Sequence, residues 1–189
     1  MKIFIQTTIL LMMIYPGNTK RIAESAETVR INEITFNNGL YYFEDQVFSG
    51  DIVDYYENDR LKFRYGVLQG RLQGLAVEYY AGGKVKSERH YVMSKLFGQF
   101  TEYYESGEVR AQFKVALNAY GSGEMVEDIT IGTLKNKKHK TKTYDKGIIY
   151  FTKNDGTYFT NSEEISLLYQ TEYKIMDKSM NKVLIEVTN

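Results

Sequence analysis

From Leu61 to Tyr65, Val85 to Tyr91 and Val109 to Val115, apolar side chains alternate with charged or polar ones. A period of two marks a β-strand with one covered and one wet face. Ahead of each run stands the same phrase: Gly50-Asp51-Ile52-Val53-Asp54-Tyr55-Tyr56, Gly74-Leu75-Ala76-Val77-Glu78-Tyr79-Tyr80 and Gly98-Gln99-Phe100-Thr101-Glu102-Tyr103-Tyr104. The interval is 24 residues, and it persists beyond the tyrosines. Leu61, Val85 and Val109 share one position, Val67, Tyr91 and Val115 another, and Phe48, Leu72 and Leu96 a third. Self-similarity at a fixed period is the signature of a repeat array.

Between each phrase and its alternating run lie Asn58-Asp59, Gly82-Gly83 and Ser106-Gly107. Such dipeptides suit two-residue hairpin turns, which demand positive φ at their centre. A two-residue turn sets Tyr56 opposite Leu61, Tyr55 opposite Lys62, Asp54 opposite Phe63 and Val53 opposite Arg64. A slip of one residue exchanges these partners. Because the period is even, equivalent side chains fall in columns on one face, such as Tyr56, Tyr80 and Tyr104. Gly50, Gly74 and Gly98 open the units, where a residue without Cβ is expected to let the chain turn between hairpins. A single hairpin is marginal, and stacking supplies the missing burial. The expected fold is mostly β: an elongated single-layer sheet of stacked antiparallel hairpins across residues 26–120. Ile34 to Phe36, Asn38-Gly39 and Leu40 to Phe43 read as a partial hairpin capping the array.

After residue 117 the register fails, with Glu127 and Asp128 where a tyrosine pair is due. Residues 121–189 read as a small β-rich or α+β extension, with the boundary near residue 120. Ile148 to Thr152 and Thr157 to Thr160 flank Asn154-Asp155-Gly156, a strong hairpin signal. Asn161 with Glu164 resembles a capping box ahead of a short helix at 162–172, while Leu167 to Tyr173 reads equally as a strand. Val183 to Val187 is the last expected strand. Lys135, Lys137, Lys138, Lys140 and Lys142 surround His139 in what reads as a basic loop.

The N-terminus follows another pattern. Lys2 precedes thirteen residues, Ile3 to Tyr15, that are apolar apart from Gln6, Thr7 and Thr8, and Pro16-Gly17 closes them. Residues 1–25 therefore read as a signal peptide, with a buried N-terminal strand as the alternative. A membrane-spanning helix needs about 20 apolar residues, more than this run supplies. Export to the periplasm, outer envelope or medium is the expectation, and the cytoplasm is its alternative.

Composition narrows the chemistry. Twenty-four basic and twenty-four acidic side chains cancel, so no global field draws the chain of 189 residues onto nucleic acid or an anionic membrane. Seventeen tyrosines and ten phenylalanines, against no tryptophan and one proline, favour wide amphipathic strands. With no cysteine there is no disulfide, thiolate zinc site or thiol catalysis.

Gly-x-x-x-Glu-Tyr-Tyr-x-x-Gly-x-Val-Lys/Arg, followed by an aromatic and then Leu-x-Gly, resembles the bacterial variant of the MORN (membrane occupation and recognition nexus) repeat. The resemblance covers residues 35–117 and is best over 74–98 and 98–115. The first copy departs from it, with Asp59 in place of the turn glycine. It implies a sheet of β-hairpins used as a binding or scaffolding surface. Similar repeats occur in YwqK-family antitoxins, thought to neutralise a partner toxin, and eukaryotic relatives are linked to membranes and phospholipids.

No repeated position is a nucleophile or a metal-ligand cluster, and no cofactor is expected. Asp54, Glu78 and Glu102 form an acidic column that is a candidate binding site lining a cation or substrate groove, and paired carboxylates are what glycoside hydrolysis requires. Repetition favours a structural role, as partners of the basic column Lys62, Lys86 and Arg110. His90 and His139, the two histidines, read as exposed polar residues. The lysine run suits an anionic lipid or an acidic partner, or is simply solvated. Of each pair Tyr55/Tyr56, Tyr79/Tyr80 and Tyr103/Tyr104, one tyrosine is expected to be structural and the other to recognise a ligand. The expected function is a non-enzymatic, exported binding or scaffold protein that recognises a protein or envelope component. The alternative is an antitoxin or immunity-type protein. An open sheet has two edges, which leaves edge-paired dimers open.

Overall fold

Strands follow one another at the spacing the alternation predicts. The computed structural model describes residues 27–115, 123–151 and 172–188. The signal-peptide segment, the hairpin around Asn154-Asp155-Gly156 and residues 162–171 of the expected helix lie outside the described residues.

The strands are β1 (Thr28–Arg30), β2 (Ile34–Asn37), β3 (Leu40–Phe43), β4 (Gln46–Val47), β5 (Gly50–Tyr55), β6 (Leu61–Leu68) and β7 (Arg71–Tyr79). They continue with β8 (Val85–Val92), β9 (Lys95–Tyr103), β10 (Val109–Val115), β11 (Glu124–Lys135), β12 (Lys138–Phe151), β13 (Tyr173–Asp177) and β14 (Val183–Val187). Eleven form one sheet in the order β1-β5-β6-β7-β8-β9-β10-β11-β12-β13-β14, antiparallel except where β1 runs parallel to β5. The protein is thus mostly β, a long open sheet of stacked hairpins with a small C-terminal β extension. β2, β3 and β4 make a separate sheet. Tyr41 N donates to Gly70 O at 2.9 Å and Gly70 N to Phe48 O at 2.7 Å, so this small sheet sits on the turn between β6 and β7.

The turn within each repeat is not the two-residue type. Tyr56 N donates to Arg60 O at 2.8 Å and Asp59 N to Tyr56 O at 3.0 Å, a pattern repeated at Tyr80 with Lys84 and Gly83 and at Tyr104 with Glu108 and Gly107. This is a three-residue loop whose third residue alone is left-handed: φ is 60° at Asp59, 88° at Gly83 and 106° at Gly107. The extra residue leaves Asp54 opposite Phe63 and Val53 opposite Arg64, but sets Tyr55 against Leu61 rather than Lys62. The two-residue turns with positive φ instead join successive repeats, at Gln69-Gly70 and Met93-Ser94.

Gly74 and Gly98 also stand elsewhere than expected. They lie inside β7 and β9 at φ 82° and 77°, where three residues, 73–75 and 97–99, oppose Gly66 and His90. These bulges bend the strand and increase its twist. Gly50 answers a different need, because a Cβ there would lie 2.2 Å from Glu27 O, on the segment leading into β1.

One face of the sheet carries the core. Ile52, Phe63, Tyr65, Val67, Leu72, Ala76, Phe100, Phe113 and Val115 are buried along it. The extension lacks the repeat register yet prolongs the same sheet, and its core face turns toward that of the repeats. Asp128, at φ 51°, breaks the alternation of β11, so Glu124 and Val126 before it and Ile129 and Ile131 after it are all buried. Opposite Asp128 the β10–β11 register shifts between Gln112 and Lys114, and Tyr173 on β13 packs edge-on to Phe100 on β9 at 5.4 Å and to Phe113 on β10 at 6.1 Å. These strands are four and three places apart in the sheet. Burying each such ring stabilises by about 1.5–3 kcal/mol.

The basic run is not a loop. Lys135 and Lys138 are cross-strand partners at the tip of the β11–β12 hairpin, joined by Asn136-Lys137, both at positive φ. His139 is half-buried rather than exposed, with Nε2 2.8 Å from Val109 O, whereas His90 is exposed.

Candidate functional site

Adjacent residues of a strand face opposite ways, and the tyrosine pairs stand where strand gives way to turn. The second tyrosine of each pair leans onto the unit that follows, a repeat for Tyr56 and Tyr80 and the extension for Tyr104. Tyr56 Oη donates to Tyr79 O at 2.6 Å, Tyr80 Oη to Tyr103 O at 2.6 Å, and Tyr104 Oη to Gly132 O at 3.0 Å. One bond thus recurs at each step of the array. Partial burial pushes the Tyr56 and Tyr80 hydroxyls above their ordinary pKa, so they remain donors at any physiological pH.

The first tyrosines lie on the outer face, opposite the core. Tyr55, Tyr79 and Tyr103 are the cross-strand partners of Leu61, Val85 and Val109. Tyr55 is 36% exposed, and the other two are half-buried. Charge borders them: Arg30 lies over the Tyr55 ring at 4.9 Å, Arg64 pairs with Asp51 at 2.5 Å, and Tyr103 Oη donates to Glu88 at 3.1 Å. Towards the opposite ends of the same strands, Leu68, Leu75, Val92 and Phe97 are exposed.

The acidic column faces inward and is progressively buried. Asp54, half-buried, pairs with Lys62 at 3.1 Å. Glu78, buried, accepts from Tyr65 Oη at 2.6 Å and pairs with Arg89 at 3.3 Å. Glu102 accepts from Tyr173 Oη at 2.5 Å and pairs with Arg110 at 3.3 Å. The expected partner Lys86 is replaced by Arg89 at Glu78. Arg89 stands on the core face opposite Ala76, and its guanidinium also covers the Phe100 ring at 5.4 Å. Burial works against the charge of Arg89, but Glu78 and the nearby Tyr91 and Tyr65 outweigh it and hold its pKa above the ordinary value. Burial raises the Glu102 carboxyl, opposed by Tyr173 and Arg110. Each of these carboxylates has a partner within the protein.

Glu124 escaped sequence reasoning because it lies outside the repeat. It is buried on the core face opposite Ile149, its Oε2 has no hydrogen-bond partner, and burial pushes its carboxyl up to about 7 against the pull of Lys95. Among the described residues no group of three His, Asp or Glu side chains converges in a way that could hold a metal, and no helix is long and apolar enough to cross a membrane. Neither a family model, nor a curated protein, nor a solved structure matches the chain. The likeness to MORN repeats accordingly rests on the motifs in the chain.

Proposed function

We propose that the protein is a non-enzymatic, exported binding or scaffold module that recognises a protein or envelope component through the outer face of its hairpin array. The observation that carries this reading is the division of labour within each tyrosine pair. Tyr56, Tyr80 and Tyr104 are tied to the next unit, whereas Tyr55, Tyr79 and Tyr103 form an outer stripe with apolar neighbours and a charged border. Amphipathic aromatic stripes of this kind give contact area at low entropic cost and are frequent anchors of interfaces. Export is the part supported by the N-terminal apolar run alone.

Affinity capture from fractionated cells, with the protein expressed from its own promoter and its N-terminus read by mass spectrometry, tests both parts. A processed N-terminus in the envelope fraction with envelope partners is expected. The combined variant Tyr55→Thr, Tyr79→Thr and Tyr103→Thr should lose those partners while keeping its β-sheet circular dichroism. Undiminished capture by that variant would remove the stripe from recognition, and an intact N-terminus in the cytosol would refute export. One stoichiometric toxin-like partner in the cytosol would point to an antitoxin instead.

A further inference from the structure

The β11–β12 hairpin outruns its neighbours. β13 reaches only Asp177, opposite Gly147, so among the described residues no strand lies beyond Lys138 to Lys146 on that side of β12. Lys138, Lys140, Thr141, Lys142, Thr143 and Asp145 along this stretch are exposed. A row of backbone N–H and C=O groups without strand partners is a template for another strand.

The side chains say which strand. By alternation Lys138, Lys140 and Lys142 share one face, and Lys135 joins them as the cross-strand partner of Lys138. Among the described residues none of these four lysines is in an ion pair. Like charges set directly opposite destabilise a ladder, and here they concentrate in a chain whose net charge is zero.

We propose that this edge receives an extended acidic segment of a partner protein, which adds to β12 as a further strand. In a strand, every second side chain recurs at about 6.8 Å on one face. Carboxylates at alternate positions of the added strand therefore match the spacing of Lys138, Lys140 and Lys142, while its backbone satisfies the open edge. The same lysines disfavour a second copy, since pairing β12 with β12 sets lysine near lysine. A polyanion without a peptide backbone meets the charge and leaves the edge unsatisfied. The site is separate from the tyrosine stripe, so either reading can fail alone.

The test titrates the full chain with a ten-residue peptide alternating glutamate and valine. The controls are a lysine-valine peptide and a glutamate-valine peptide carrying N-methyl groups along one backbone edge, prepared in both phases. Binding of the unmodified acidic peptide is expected, with slowed amide hydrogen exchange confined to residues 138–146. The combined variant Lys138→Glu, Lys140→Glu and Lys142→Glu should weaken it about tenfold or more, the sum of three exposed ion pairs. At least one N-methylated phase should lose binding. No binding of the acidic peptide overturns the proposal. So does equal binding of both N-methylated phases, or binding without amide protection, either of which marks a diffuse anion-attracting surface. Self-association abolished by the lysine substitutions would assign the edge to a second copy.

Discussion

The Tyr80 hydroxyl stands for a bond made at every step of the array. It donates to Tyr103 O across the junction between units, so Tyr80→Phe removes one hydrogen bond and leaves a half-buried carbonyl with one partner fewer. A loss of about 0.5–1.5 kcal/mol in urea unfolding is expected. Tyr79→Phe, whose ring lies on the outer face, should cost clearly less, and equal losses would contradict the assigned roles. Glu124 makes a prediction of opposite character. Its folded pKa of about 7 lies above the ordinary carboxyl value of 4.5, so its proton is held more tightly in the folded protein. Its contribution to stability is fully present below about pH 4.5 and is lost as pH rises through about 7. Glu124→Gln should therefore match the parent at pH 4.5 and exceed it at pH 8, by up to about 3 kcal/mol. Denaturant midpoints at the two pH values measure it, and a variant with the parent's pH slope would refute the assignment.

At the scale of the element, the three-residue loop makes the first repeat a natural experiment. Asp59 holds the left-handed conformation, φ 60°, that glycine occupies in the other two copies. A residue with a Cβ pays about 1 kcal/mol or more there, so Asp59→Gly is expected to raise the melting temperature and Gly83→Ala to lower it. Unchanged or inverted melting temperatures would show that the loops are not equivalent. The alternation from Val85 to Tyr91 and the even period were legible because packing one face against neighbours repeats the same demand in each unit. Turn type was not legible, since Asn58-Asp59, Gly82-Gly83 and Ser106-Gly107 serve two- and three-residue loops alike. The difference lies in whether one or two residues take positive φ, which composition does not report. The strand Val183 to Val187 appears within the bounds its sequence predicts. Repeat position points to Lys86 as the partner of Glu78, whereas Arg89 reaches Glu78 from the core face.

Across the whole molecule, the decisive contact is between the extension and the repeats. Tyr173 joins Glu102 and the rings of Phe100 and Phe113, although Glu102 lies 71 residues away in sequence. Tyr173→Ala would empty this site and leave Glu102 with one partner fewer. A loss of about 3–5 kcal/mol is expected, with increased binding of a hydrophobic dye as the core face of the repeats is uncovered. A loss confined to the extension, with repeat amides still protected in hydrogen exchange, would show that the repeats close their core without it. The class of fold, the 24-residue period and the columns of like residues can be read from the chain alone, because each follows from local alternation and from neighbours that are copies of one another. Which tyrosine of each pair is tied to the next unit, where the β10–β11 register shifts, and which residues of the extension meet the repeats are settled by the packed molecule. Those choices depend on contacts between segments far apart in the chain, where no period links the partners and burial rather than local conformation sets the outcome.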